Sequence, residues 1–383
     1  MKILTIDVGT GTQDIFLYDS SLDIENGFKL ILPSPTMIIN HQLRQATRRR
    51  QSVLLTGVTM GGGPSAWAAE NHAKAGLEIY STPDAARSFN DDLSAVESMG
   101  IKIISDEEAK KISPAVVRIE LKDIDLDAIY QVFQKFGVSL HDLKAVSIAV
   151  FDHGAAPPSI SDRQFRFDYL DERIRTHNRL SAFAYHAHQI PEILTRLRAV
   201  AQSAANLSVP LIVMDTAPAA ILGAIFDPVV ASRRRKIILN VGNFHTLAFR
   251  LGTDGIEGVF EHHTGLLDAV KIEHLVTRLA NSTLRHEDVF NHHGHGALIY
   301  QHQILKLDAP DFNIVVTGPR RSMMARSPLK PYFSVPFGDM MITGCFGLLA
   351  ATADMLPDLR EPILASLRGA GGSGTPPWEL PIE

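Results

Sequence analysis

Two glycine turns in this sequence are built from residues that bind anions. Asp7 closes one apolar run and leads into Val8-Gly9-Thr10-Gly11-Thr12-Gln13, and Asn240 closes another and leads into Val241-Gly242-Asn243-Phe244-His245. Glycine lets the backbone approach a ligand closely and adopt positive φ, and successive N–H groups of a tight turn form an anion-binding nest. Thr10 and Thr12 add hydroxyl donors. Two more carboxylates, Asp152 and Asp215, follow the apolar runs 143–151 and 210–214. Strand ends at a cleft are where open α/β sheets hold ligands. Among the 16 histidines, His153, His245, His262, His263, His293 and His295 stand beside glycine or acidic residues rather than in periodic stretches. Imidazole is the commonest metal ligand, and Asp152 or Glu261 could orient a ring. No His-Glu-x-x-His helix and no cysteine pair marks a zinc signature, so the same rings serve equally as general bases or as hydrogen-bonding groups of a polar cleft.

The elements that position these groups follow from pattern. Residues 2–8 and 12–19 are apolar runs joined by the first turn, which predicts a β-hairpin, with 28–32 and 52–56 expected as further strands of the same sheet. Met60-Gly-Gly-Gly-Pro64 introduces an alanine-rich helix over 65–75, and residues 84–141 are expected as a helical insertion. Residues 163–198 are polar and helical, and a small-residue helix spans 217–225. The second half repeats the opening theme: strands at 236–241, 244–251 and 256–260, a helix at 266–279, a strand at 313–316 running into the turn Thr317-Gly318-Pro319, and a last helix over 339–351. A chain of 383 residues with 45% hydrophobic content exceeds what one core usually holds. Two domains are expected, 1–226 with the insertion and 227–356 with the last helix packing back, then a mobile tail over 357–383.

Composition narrows the partners. The formal charge of -5 gives no global attraction to nucleic acid or an anionic membrane, and the arginine runs at 44–50 and 233–236 lack interleaved aromatics, so they read as solvated faces. No stretch approaches the roughly 18 apolar residues of a membrane span. The single cysteine, Cys345, sits in an apolar helix pattern as a small core residue; it excludes a disulfide framework and points to the cytoplasm.

Four segments resemble, in order and approximate spacing, the actin, sugar-kinase and heat-shock-chaperone ATPases. They are Ile6 to Asp14, Asp215 to Gly223, Leu239 to Thr246 and Val315 to Arg320, with 336–350 similar to the closing helix. The resemblance implies a two-domain actin-like, ribonuclease H-like α/β fold closing a cleft on ATP and Mg²⁺. Asp7 would hold the metal, because Mg²⁺ takes oxygen ligands and keeps several waters. Gly9, Thr10, Gly11, Thr12 and Gln13 would face Gly242, Asn243 and His245 across the phosphates, Gly318 and Arg320 would meet the nucleotide from the adenosine side, and Asp152 or Asp215 would be the base. Asn240 departs from the pattern, which has a second aspartate there; an amide is neither an anionic metal ligand nor a base.

The chain also resembles a family labelled pyruvate formate-lyase activating enzyme, through Met60 to Pro64, Phe151 to Pro158, Ser161 to Arg163, Gly242 to Thr246, Glu261 to Gly265, Gly294 to Ala297 and Pro336 to Met341. Such activating enzymes work by radical chemistry at a cluster held by three closely spaced cysteines, and one cysteine cannot ligate it. Three functions are carried forward. One is an ATP-dependent phosphotransferase or hydrolase acting on a small molecule. Another is a carbamoyl or acyl transferase with a transition metal on His153, His262, His263 or His295, and the last is a nucleotide-gated binding protein with little turnover.

Overall fold

The computed structural model describes residues 1–307, 314–372, 374 and 376–379. In chain order its strands are β1 (Lys2–Val8), β2 (Thr12–Asp19), β3 (Phe28–Pro33), β4 (Val53–Gly57), β5 (Ile79–Ser81), β6 (Lys102–Ile103), β7 (Val117–Leu121) and β8 (Leu143–Val150). The series continues with β9 (Ala184–His186), β10 (Leu211–Asp215), β11 (Lys236–Val241), β12 (His245–Gly252), β13 (Gly255–His263), β14 (Gly296–Ile299), β15 (Ile314–Thr317) and β16 (Tyr332–Phe333). They form a mixed α/β structure with three sheets, ordered β3-β2-β1-β8-β10-β9, β14-β13-β12-β11-β15-β16 and β6-β5-β4-β7.

The two six-stranded sheets follow one plan. In the first, β1 is antiparallel to β2 and parallel to β8, with β10 parallel beyond it; in the second, β11 is antiparallel to β12 and parallel to β15, with β16 parallel beyond it. Gly9 N donates to Thr12 O at 2.9 Å, and Gly242 N donates to His245 O at 3.0 Å, so the two hairpins close by the same bond. Counting outward from it, Asp7 of one half matches Asn240 of the other, and Thr12 matches His245.

Strand alternation explains the burial on both faces. Leu4 and Ile6 join a core shared with Ile238 and Phe249 of the second sheet, while Ile3 turns to the opposite core with Phe16, Phe346 and Leu349. Helices Thr216–Ala224 and Thr343–Met355 cross with almost no side chain between them: a Cβ on Gly223 would overlap the Thr343 carbonyl, and one on Gly347 the Ala219 carbonyl. Glycine is required there because backbone meets backbone.

Several sequence expectations are corrected. β4 belongs not to the first sheet but to the all-parallel third one, which also takes β6 and β7 from the region 84–141 expected to be helical. The last helix starts at Thr343 rather than at 339. The expected tail contains, after a short 3-10 turn at Pro357–Leu359, helix Arg360–Leu367, whose Ile363 and Leu367 are buried and whose Ser366 bonds Tyr18 Oη at 2.8 Å. Residues 373, 375 and 380–383 of that tail, and Asn313 of the expected strand, lie outside the described residues. Among the described residues no helix is long and apolar enough to cross a membrane.

Candidate functional site

A cleft of about 370 Å³ opens where the two hairpin turns meet. The turns are so close that a Cβ on Gly11 would overlap the Asn243 amide. Asp7, Gly9, Thr10, Gly11, Thr12, Asp152, His153, Gly242, Asn243, His245 and Gly318 all line it. Gln13 does not: pleating alternates it away from Thr12 and Asp14, and its Nε2 donates to Pro33 O at 3.0 Å. Arg320 does not either. Gly318 turns the chain at φ +96°, leaving Arg320 exposed with its backbone N–H on Val241 O.

The floor is a pair of carboxylates. Asp7 and Asp14 are register partners across β1 and β2, both largely buried. Asp7 Oδ1 accepts the Thr216 hydroxyl at 2.6 Å, while Asp14 Oδ1 is enclosed with no hydrogen-bond partner among the described residues. Burial pushes the Asp14 carboxyl up to about 8, with the Asp7 charge adding to it, and burial likewise raises Asp7 to about 6 against the pull of the Thr216 bond. The motifs do not single out Asp14, although counting from the turn pairs it with Asp7.

Asp152 and Asp215, expected as bases, have anchoring partners instead. Asp152 accepts the Gly154 N–H at 2.8 Å and the Leu197 N–H at 2.9 Å, and burial raises its pKa to about 6 in spite of them. Asp215 does not line the cleft. It caps helix Thr216–Ala224 through the Ala217 N–H and meets Arg166 Nη1 at 2.6 Å. Arg166 is fully buried; its Nε donates to Glu261 Oε2 at 2.9 Å and its guanidinium lies 3.8 Å over the Phe151 ring.

Beside the second turn the chain gathers His153 from the segment after β8, His245 from β12 and His295 from the segment before β14. One ring nitrogen from each lies within 4.8 Å of the others. His153 and His295 meet Nε2 to Nε2 at 3.1 Å, Phe151 stacks on His245 at 4.1 Å, and Glu261 Oε1 stands 3.4 Å from His295 Nδ1. Burial, reinforced by Arg166 and Arg196, pushes His153 down to about 3; burial also holds His245 and His295 well below the ordinary value. All three are therefore neutral imidazoles with lone pairs. His262 is not among them: alternation along β13 turns it from the Glu261 face, and its Nδ1 contacts its neighbour's carbonyl. His263 stands at the rim, its ring 4.7 Å from that of His295.

The roof is the glycine loop 60–63 between β4 and helix Pro64–Lys74. Arg196 lies against Gly61 while pairing with Asp123 at 2.6 Å, and a side chain at Gly61 would displace it. Trp67, on the roof helix, sits 5.9 Å ring to ring from Phe244 of the second turn.

The family model described as "Putative pyruvate format-lyase activating enzyme (DUF1786)" matches residues 60–323. The chain belongs to this family. No curated protein matches the sequence. Solved structures with detectable similarity include a ROK family transcriptional regulator described as a homolog of E. coli MLC protein (10% identity, 67% of this chain and 37% of that one, TM-score 0.25). Others are the ROK hexokinase from Thermus thermophilus (11%, 67% and 48%, 0.23) and the ethanolamine utilization protein EutJ from Carboxydothermus hydrogenoformans (10%, 91% and 89%, 0.31). The chain thus spans less than half the length of the first two of these.

The family match begins at the roof loop and includes the second turn, the three gathered histidines, Arg166 and Glu261; the Asp7–Asp14 hairpin and helix Thr343–Met355 lie outside it. The family's descriptive label names an activating enzyme, yet the only cysteine, Cys345, is buried in a helix with its Sγ on the Asp14 carbonyl at 3.1 Å. No thiolate cluster can form within one chain.

Proposed function

We propose that this protein binds ATP with Mg²⁺ in the cleft, between two lobes of an actin-like, ribonuclease H-like fold, and transfers its terminal phosphoryl group to a small molecule or to water. The lobes are residues 1–226, with 84–141 inserted, and 227–356. The observation that carries the reading is the duplicated hairpin: two glycine turns, closed by the same hydrogen bond, touch each other directly above two buried carboxylates. Backbone N–H groups with Thr10, Thr12 and Asn243 would bind phosphate oxygens, and Gly318 would leave room for the adenosine side.

The donor set suits Mg²⁺. Asp7 and Asp14 offer hard oxygens, and a buried carboxylate oxygen without a partner gains from a cation. When bound, the ion would neutralise charge on the phosphates, which together with positioning supplies most of the rate in phosphoryl transfer. Thr216 holds Asp7 in place. Asn240 occupies the counterpart of Asp7, so the first lobe alone supplies anionic ligands. That asymmetry favours a second reading of the same site, nucleotide-gated closure with little turnover. Neither reading calls for nucleic acid or a membrane as partner.

The test is thermal melting with ATP, ADP and MgCl₂ separately and together. ATP with Mg²⁺ is expected to raise the melting temperature by mass action, and Asp7→Asn to remove the Mg²⁺-dependent part. No shift with any nucleotide would sink both readings; phosphate release from the loaded protein separates them.

A further inference from the structure

We propose that His153, His245 and His295 form a binding site for one divalent transition metal ion, in the same cleft but separate from the carboxylate pair. The site does not depend on nucleotide binding. Three nitrogen ligands around a tetrahedral ion, each about 2.0–2.1 Å from it, stand roughly 3.3 Å apart. Here the Nε2 atoms of His153 and His295 are already 3.1 Å apart, and the third ring nitrogen lies within 4.8 Å of both. The approach of His245 completes the set, and its Nε2 is enclosed with no hydrogen-bond partner among the described residues.

The surroundings are those of a ligand set held in advance. Metal-bound imidazoles characteristically direct their second nitrogen at a carboxylate, which fixes the tautomer. Glu261 Oε1 stands 3.4 Å from His295 Nδ1 with no hydrogen bond formed between them, and Arg166 Nε fixes the carboxylate at 3.2 Å from Oε1 and 2.9 Å from Oε2, so a small turn of the ring would direct Nδ1 at Glu261 and leave Nε2 for the ion. Phe151 stacks on His245 and meets His153 edge-on, so one aromatic ring packs against both imidazoles. Three neutral imidazoles without thiolate or carboxylate in the first sphere suit Zn²⁺, Co²⁺, Ni²⁺ or Fe²⁺ rather than Mg²⁺ or Ca²⁺. His153 and His245 line the cleft while His295 does not, so the remaining coordination position opens toward the cleft. With three protein ligands and an open position, the ion would hold a water or a substrate oxygen, as catalytic rather than structural sites do.

The full chain, stripped with chelator, is titrated with Co²⁺ and Zn²⁺. One equivalent of Co²⁺ with visible bands of four- or five-coordinate geometry is expected, and X-ray absorption of the Zn²⁺ form should show three nitrogen neighbours per ion from imidazole. His153→Ala and His245→Ala should each weaken binding at least 100-fold, while His292→Ala on the exposed surface leaves it unchanged. Glu261→Gln, at a positioning residue, should weaken it 10- to 100-fold with the Co²⁺ bands retained. Circular dichroism verifies that each variant is folded. Folded wild-type protein that takes up no equivalent of either metal overturns the proposal, as does an absorption spectrum with fewer than three imidazoles, which needs no variant at all.

Discussion

The Thr216 hydroxyl donates to Asp7 Oδ1 at 2.6 Å, and this one bond ties the end of β1 to the start of helix Thr216–Ala224. The residue before it, Asp215, caps the same helix and is paired with Arg166, which in turn holds Glu261, the carboxylate behind His295. Three polar contacts and one peptide link at a helix N-terminus therefore lead from the carboxylate pair to Glu261, which stands 3.4 Å from His295 Nδ1. The central member is a fully buried arginine between two buried carboxylates, and its removal would strand both charges.

Arg166→Met is accordingly expected to lower stability by about 3–5 kcal/mol, the usual cost of leaving a buried charge uncompensated. Adding Glu261→Gln to it should recover part of the loss, because one of the stranded charges is then gone. Urea denaturation of the single and double variants checks this; a single variant that unfolds at the wild-type midpoint would show that the ion triad is not what holds the two sheets in register.

The carboxylate pair gives a pH dependence with an unusual sign. Burial raises Asp14 to about 8 and Asp7 to about 6, whereas both would titrate near 3.8 in the unfolded chain. Between these limits the folded protein holds protons that the unfolded chain has released, so its stability falls as pH rises. Metal-free protein should thus be most stable, as far as this pair is concerned, below about pH 4 and lose that contribution progressively up to about pH 8. Depressed imidazoles such as His153 slope the opposite way up to about pH 6.5, so the pair is read between pH 7 and 8, where the wild-type melting temperature should fall more steeply than that of Asp14→Asn and Mg²⁺ should raise it.

What the sequence made legible is the part governed by local pattern. Both hairpins are visible because apolar runs flank a glycine turn, and the crossing helices because small residues cluster at 217–224 and 343–353. The third sheet was hidden because its strands are two to five residues long and parallel, and charged neighbours such as Arg118 and Glu120 blur their alternation into a helical period. Arg166 lies in a largely polar helix that carries three other arginines, with nothing to mark this one as buried. The histidine cluster draws on positions 153, 245 and 295, so no spacing rule could assemble it; only the meeting of the two sheets does. The turn points His245 to phosphate and the neighbours point His262 to metal, whereas pleating along β13 turns His262 away from the cluster.

Glycines at the helix crossing separate stability from ligand binding. A Cβ on Gly223 would strike the Thr343 carbonyl, which cannot move without parting two helices, so Gly223→Ala is expected to cost about 1–3 kcal/mol in a urea melt. A Cβ on Gly344 would strike the Asp7 carboxylate instead. Alanine also gains about 1 kcal/mol over glycine inside a helix, which offsets part of that clash. Gly344→Ala should therefore remain folded while displacing Asp7, and lose at least 10-fold in affinity for ATP with Mg²⁺ by titration calorimetry. Equal losses of stability in the two variants would remove Asp7 displacement as the explanation.

Trp67 offers a direct view of cleft movement. It is 55% exposed on the roof helix and its ring is 5.9 Å from Phe244, which lies between Asn243 and His245 in the second turn. Anything that draws the roof loop 60–63 down onto a ligand held by that turn would bury the indole further and shift its emission to shorter wavelength. The other tryptophan, Trp378, is 81% exposed and distant in sequence from the cleft residues, so it supplies a constant background. ATP with Mg²⁺ is expected to give a saturable blue shift that Trp67→Phe abolishes and Phe244→Ala reduces. A shift that persists in Trp67→Phe would mean that the reporter is Trp378 and not the roof helix.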